Sequence, residues 1–121
     1  MGGPGYALED LGRPAEFLLP EEKLGMPVNG KTVLAGLENF LAENFGAYTT
    51  YAAKSYGVWR NHERIVFHDR CRRFEVSFVG KDRIPLLLAK LAEIAWVIGE
   101  ECIYFKAGQY ATLIFPKVSA S

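Results

Sequence analysis

The stretch Phe74–Gly99, FEVSFVGKDRIPLLLAKLAEIAWVIG, decides the fold of this chain. Its first five letters alternate between apolar and polar side chains, a period of two that predicts a strand with one buried face. Gly80 interrupts the strand, Asp82 can cap a following helix, and Gly99 can end that helix in the left-handed conformation. Apolar residues recur between these signals at three- and four-residue steps, which predicts an amphipathic helix. They are Ile84, Leu87, Leu88, Leu91, Ile94, Ala95 and Ile98.

Outside this stretch, the same periodicities predict one more helix and several strands. The first helix is expected after Lys31, with Asn29 as its cap and Gly46 as its left-handed end. Its apolar face consists of Val33, Leu34, Leu37, Phe40, Leu41 and Phe45. Strands are predicted at Ala15–Leu19, Ala47–Trp59, Ile65–Val79, Cys102–Lys106 and Tyr110–Phe115. The two ends of the third strand have opposite parity, so a one-residue slip near His68–Arg72 is needed if both ends face the same core.

This order of elements predicts an α+β fold of the ferredoxin-like βαββαβ type. Two helices would cover one face of an antiparallel sheet, which makes a two-layer sandwich. Along the chain we expect a flexible arm at residues 1–14, a single domain at residues 15–116 and a frayed tail at residues 117–121.

The uncovered face of such a sheet also predicts self-association, because a one-layer antiparallel sheet leaves a face to bury. Leu86, Trp96 and Val97 add apolar surface outside the core stripe of the second helix. Scattered exposed apolar residues are normal in monomers and explain these three equally well. The sequence favours a homo-oligomer, with a dimer as the simplest form.

The composition excludes several classes of function. The charge is balanced, with 14 basic and 14 acidic residues, so the chain has no general attraction to nucleic acid or anionic lipid. No stretch reaches the roughly 18 apolar residues that span a bilayer, and the N-terminus lacks the pattern of a signal peptide. Cys71 and Cys102 lack metal-ligand spacing, which is typical of reduced thiols in the cytosol. We expect a soluble cytoplasmic protein without a membrane partner, a metal or a cofactor.

A locally basic segment in the middle of the chain supplies the first candidate site. In an extended chain His68, Arg70 and Arg72 share one face, and guanidinium groups beside an imidazole can bind an anion. Tyr56 and Trp59 on the preceding strand can wall such a site. The pattern favours a module that binds a small anionic ligand or a protein partner. The alternatives are an enzyme using His68 as acid–base with Tyr56 as donor, and a polar bend without a site, whose arginines are solvated or paired with Asp69 and Glu75.

A second candidate is the string GMPVNGKT, in which Gly25, Gly30, Lys31 and Thr32 fit the phosphate-binding pattern G-x-x-x-x-G-K-[ST]. Such a loop cradles phosphates with backbone N–H groups, and its lysine neutralises their charge. Its context is wrong, because charged residues separate Gly25 from the preceding strand and the chain has too few helical crossovers for a parallel sheet. A loop whose end caps a helix explains the string as well, and nucleotide binding remains the alternative.

Two runs of sequence resemble a known family. The first spans Phe40–Trp59, F-x-x-x-x-F-G-x-x-T-x-Y followed by G-x-W, and the second is G-E-E-C-I-Y-F followed by G-x-Y-A-x-L-I. They are similar to a small uncharacterised bacterial family of ferredoxin-like α+β proteins. That family has no established reaction, so the resemblance implies the fold and no function.

Overall fold

The structure, a computed structural model, describes residues 5–60, 65–80, 82–108 and 110–117, with the backbone alone at residues 52–60 and 65–69. The elements are β1 (Arg13–Pro20), a short 3₁₀ turn (Glu21–Lys23), β2 (Pro27–Val28), β3 (Lys31–Thr32), α1 (Val33–Asn44), β4 (Ala47–Arg60), β5 (Ile65–Phe78), α2 (Arg83–Ile98), β6 (Ile103–Ala107) and β7 (Tyr110–Ile114). The predicted α+β class is confirmed. β1 begins two residues before the predicted start of the domain, and most of the predicted tail lies outside the described residues.

The main sheet has five strands in the order β4-β5-β1-β6-β7, and every neighbouring pair is antiparallel. β2 and β3 form a separate small hairpin. Between β4 and β5 the register shifts twice. Ser55 of β4 pairs with Cys71 of β5, and Gly57 pairs with His68. Between these two pairs the chain covers two residues on β4 and three on β5. This shift is the slip that the parity of the sequence predicted near His68–Arg72.

Both helices contribute to one core on a single face of the sheet. α1 buries Val33, Leu37 and Leu41, and α2 buries Leu87, Leu91, Ile94, Ala95 and Ile98. The facing strands supply alternate residues, as their period of two predicted. Phe17 on β1 and Phe74 on β5 are fully buried and stack with ring centroids 5.1 Å apart. Burial of two aromatic rings stabilises the fold by about 2 to 3 kcal/mol each before entropy is counted.

The start of α1 differs from the expectation that Asn29 caps it. The cap is Thr32, whose hydroxyl oxygen accepts the N–H of Ala35 at 3.0 Å. Asn29 and Gly30 instead have φ angles of 52° and 83° and form the turn of the β2–β3 hairpin. An Asn-Gly pair favours that turn, because both central residues need a positive φ.

The helix ends differ from each other. Gly99 has a φ of 72° and ends α2 in the left-handed conformation, as predicted. Gly46 does not play this part for α1, because the chain leaves the helix through Phe45 in an extended conformation with a φ of −129°. Gly46 then donates its N–H to the carbonyl oxygen of Ser77 at 3.1 Å. The chain passes from α1 into β4 through these two residues, without a left-handed residue.

Candidate functional site

Arg72, one of the predicted ligand-binding residues, is engaged within the fold. Its Nε donates to Oε2 of Glu21 at 2.8 Å, and its Nη2 donates to Oε1 of the same carboxylate at 2.6 Å. The guanidinium lowers the pKa of Glu21 by donating these hydrogen bonds, against the opposing effect of burial. The alternative without a ligand site expected pairing with Asp69 or Glu75, whereas the carboxylate that pairs with Arg72 is Glu21.

The other residues of the predicted basic site are less completely defined. Arg70 is exposed on β5. The side chains of Tyr56, Trp59 and His68 lie outside the described part of the chain, so their convergence with Arg70 stays a prediction.

A polar cluster surrounds Arg72 on the helix side of the sheet. The hydroxyl of Tyr48 donates to Oε2 of Glu38 at 3.3 Å. Burial and the Glu38 carboxylate raise the pKa of this tyrosine, because both disfavour its anionic form. Arg72 thus has Glu21 as a carboxylate partner, and Tyr48 has Glu38. These pairs stabilise the contacts between α1, β4 and β5, and their two carboxylates disfavour an added anion by like-charge repulsion.

The phosphate-loop-like string lies beside a cavity of about 350 Å³. Lys31 and Thr32 line it together with Lys90 and Glu93 of α2. The hydroxyl of Thr32 caps α1, and Lys90 lies 3.5 Å from Glu93. One feature of a phosphate loop is thereby altered, since the Thr32 hydroxyl already accepts a hydrogen bond. Lys90, a second cation beside the cavity, already has a carboxylate partner.

A larger cavity, about 710 Å³, opens where the sheet meets the start of α2. We call it the sheet-end pocket. It is lined by Arg13, Pro14, Phe78, Gly80, Ile84, Ala107, Gly108 and Tyr110. Three segments that are distant in sequence converge here because β1 lies between β5 and β6 in the sheet. Its volume falls in the usual range for small-molecule sites.

The register places the pocket on the helix side of the sheet. Arg13 pairs with Phe78, and Ala15, two residues further along β1, is buried in the core. The ring of Phe78 packs edge-on against Phe45 with centroids 6.2 Å apart, which fixes an apolar floor. Arg13 is exposed and Tyr110 is 81% exposed at the mouth. Among its described lining residues, the pocket combines apolar walls with the guanidinium of Arg13 and the accessible ring of Tyr110.

Sequence reasoning missed this pocket, although one signal was available. Arg13 has the same parity as Ala15, Phe17 and Leu19, so it is a cation on the buried face of β1. A charged residue at such a position lies at the end of a core and can border a cavity. The contributions of Phe78 and Tyr110 depend on the strand order, which no local pattern encodes.

Other chemistry finds less support in the described part of the chain. Cys71 is 1% exposed and Cys102 is 3% exposed, so neither thiol has the access that a nucleophile needs. Among the residues whose side chains the structure describes, no group of three or more His, Cys, Asp or Glu is placed to hold a metal ion. None of the described helices is long and apolar enough to cross a membrane.

Comparison with known proteins gives one structural likeness. A solved structure, a phage SAM lyase in complex with S-methyl-5′-thioadenosine, is similar to this chain with a TM-score of 0.57 and 12% sequence identity. The match covers 93% of this chain and 96% of that one. No protein-family model and no curated protein matches the sequence. At this identity the likeness establishes a similar fold.

Proposed function

We propose that this protein binds a small molecule with a flat apolar body and one anionic group in the sheet-end pocket. The observation that carries the proposal is the pocket itself, which combines an apolar floor with a cation and an aromatic ring at its mouth. Apolar pockets with a few convergent polar groups are the usual form of small-molecule sites. Phe78 and Ile84 would contact the body of the ligand, and Arg13 its anion.

The chemistry of the mouth determines the ligand class. The ring of Tyr110 offers a face on which a planar group can stack. The guanidinium of Arg13 can donate two parallel hydrogen bonds to a carboxylate or a phosphate. A nucleoside carrying an acidic group satisfies both requirements. The phage SAM lyase, similar in fold, contains a nucleoside, which supports this class for the present chain.

We propose further that the fold is ferredoxin-like, with β7 as an added edge strand. The order β6-β1-β5-β4 within the sheet, with α1 following β1 and α2 following β5, supports this arrangement. A bacterial origin, a cytoplasmic location and self-association, with a dimer favoured, complete the proposal. Exposure of Leu86, Trp96 and Val97 on α2 agrees with a surface available to a partner.

The basic segment with His68, Arg70 and Arg72 on β5 remains a second candidate site for the anion. It is supported by the exposed guanidinium of Arg70. Nucleotide binding at Lys31 and Thr32 is a third, supported by the smaller cavity that these residues line. Variants separate the three sites. Arg70→Gln, Lys31→Gln and Arg13→Gln each remove one cation, and only the last should weaken binding under the main proposal.

Calorimetric titration tests the proposal with two probes, adenosine 5′-monophosphate and S-methyl-5′-thioadenosine. We expect saturable binding of both, with the anionic probe favoured. Tyr110→Ala should weaken binding about tenfold because stacking of a base on an aromatic ring contributes about 1 to 3 kcal/mol, whereas Tyr110→Phe should bind normally. Tyr6→Ala removes another exposed tyrosine, 88% exposed, and serves as the control. If neither probe shows saturable binding up to millimolar concentration, a nucleoside ligand is refuted.

A further inference from the structure

The two edges of the main sheet differ in how well they are protected. β4, at one edge, has two register shifts against β5 between Tyr51 and Gly57. Such irregularities twist an edge strand and disfavour pairing with another chain. β7, at the other edge, pairs with β6 without a register shift. The pairing begins with Ala107 opposite Tyr110 and ends with Ile103 opposite Ile114. Within the described strands, β7 has β6 as its sole partner.

β7 also lacks the charges that usually protect an edge. Residues 110–116 read YATLIFP, without a lysine, an arginine or an acidic residue. Tyr110, Ala111 and Thr112 are exposed, and Phe115 just beyond the strand is 45% exposed. A regular, uncharged and partly apolar edge is a template for strand addition.

The hairpin geometry defines which backbone groups face outward. Ala107 pairs with Tyr110 across a two-residue turn, and residues flanking such a turn exchange hydrogen bonds with each other. Because hydrogen-bonded and non-hydrogen-bonded pairs alternate along an antiparallel ladder, the N–H and C=O groups of Ala111 and Leu113 point to the open edge.

We propose that two copies of this chain pair antiparallel through β7, centred on Thr112, and that the partner's Ile114 lies opposite Tyr110 at the mouth of the sheet-end pocket. In this register Ala111 of one copy exchanges hydrogen bonds with the partner's Leu113, and the reciprocal pair does the same. The two helical layers lie on the same side of a continuous sheet, because residues opposite each other point to the same face. The two-fold pairing closes on itself, so association stops at the dimer.

A second copy is the occupant favoured by the composition of the edge. Self-pairing brings no like charges together, since the strand has none. Tyr110 opposite Ile114 is an aromatic and β-branched pair, which is among the favourable cross-strand combinations. The consequence of the pairing for ligand binding, that a dimer has a more complete pocket than a monomer, rests on the proposed function.

Charge swapping at the two-fold axis tests the interface. Thr112 is exposed and faces its own copy, so Thr112→Lys or Thr112→Glu places like charges directly opposite each other. By sedimentation equilibrium the wild type should be a dimer of the 13.5 kDa chain. Each Thr112 variant should weaken the dimer about tenfold, as expected for like charges at cross-strand distance near a surface. An equimolar mixture of the two variants should restore the dimer.

Thr49 provides the matched control, because it is an exposed threonine on β4, the other edge strand. Thr49→Lys and Thr49→Glu should leave the dimer unchanged. A monomeric wild type, an assembly larger than a dimer, or Thr112 variants that associate normally would each overturn the interface. Association is measured without ligand, so its failure is separate from failure of the pocket. If the dimer forms but the Thr112 variants bind adenosine 5′-monophosphate normally, the coupling to the pocket is refuted while the interface stands.

Discussion

Arg72 of β5 and Glu21 of the 3₁₀ turn form a bidentate ion pair, with distances of 2.8 Å and 2.6 Å. Their side chains are 20% and 30% exposed. The pair joins the end of β1 to the middle of β5 on the side of the sheet that α1 and α2 cover. An arginine that the sequence offered as a ligand-binding residue thus serves to hold two strands and a turn together.

Removal of the Glu21 charge should therefore destabilise the fold. Glu21→Gln loses a partly buried, two-bond charge pair, and we expect the free energy of unfolding to fall by about 1 to 2 kcal/mol. Urea denaturation measures the change. Glu93→Gln is the control, because Glu93 is 65% exposed in its pair with Lys90 and should contribute less than about 0.5 kcal/mol. Equal effects of the two substitutions would contradict the assigned role of the pair.

The same pair predicts a pH dependence with a defined sign. Hydrogen bonds from Arg72 lower the pKa of Glu21 from its ordinary value of 4.5 in the folded state. The unfolded chain then binds more protons, so this stabilisation is present above about pH 4.5 and is lost as the pH falls through the lowered folded pKa. The difference in unfolding free energy between the wild type and Glu21→Gln should be constant near neutrality and shrink in acid. A difference that grows in acid would refute the assignment.

Gly12 should resist substitution, because it approaches the neighbouring strand too closely for a side chain. It has a φ of 88°, and a Cβ there would lie 1.8 Å from the carbonyl oxygen of Phe78. Gly12→Ala should lower the free energy of unfolding by about 1 to 3 kcal/mol through backbone strain. Gly5→Ala, at a position with open space around the added carbon, should be close to neutral. A stable Gly12→Ala variant would show that β1 and β5 separate readily at this end.

The cap of α1 gives a prediction about the phosphate-loop-like string. Thr32→Ala removes the acceptor of the Ala35 N–H and should destabilise the fold by about 1 kcal/mol, whereas Thr32→Ser should retain the cap. Thermal or urea unfolding distinguishes the two variants. If Thr32→Ala is as stable as the wild type but loses nucleotide binding that Thr32→Ser retains, the hydroxyl has a ligand rather than a structural role.

Local periodicity was sufficient to predict the main helices and strands and one register shift. The alternation of FEVSF and the stripe of α2 predicted a strand and a helix that the structure contains, and opposed parity in β5 predicted its slip. The errors concern helix ends. Asn29 was assigned the cap because it is a good capping residue, but the Asn-Gly pair is more favourable as a hairpin turn.

Contacts between residues far apart in the chain could not be predicted from the sequence, because they depend on the strand order. Glu21 and Arg72 are 51 positions apart, and nothing local links a turn after β1 to the middle of β5. The sheet-end pocket likewise depends on β1 lying between β5 and β6. Charge and residue type identified Arg72 as notable, but they could not show which carboxylate would pair with it.

The most direct test of the proposed function compares two cations on opposite faces of the sheet. Arg13 lines the pocket on the buried side of the sheet. Lys106 on β6 lies opposite Glu16 in the strand register. It points to the other side of the sheet, because its neighbour Phe105 is buried. Calorimetry should show that adenosine 5′-monophosphate binds more tightly than adenosine, and that Arg13→Gln removes most of this preference, a loss of about tenfold for one charge-assisted contact. Lys106→Gln should preserve the preference. If Arg13→Gln binds both probes as the wild type does, the anion site is not in this pocket.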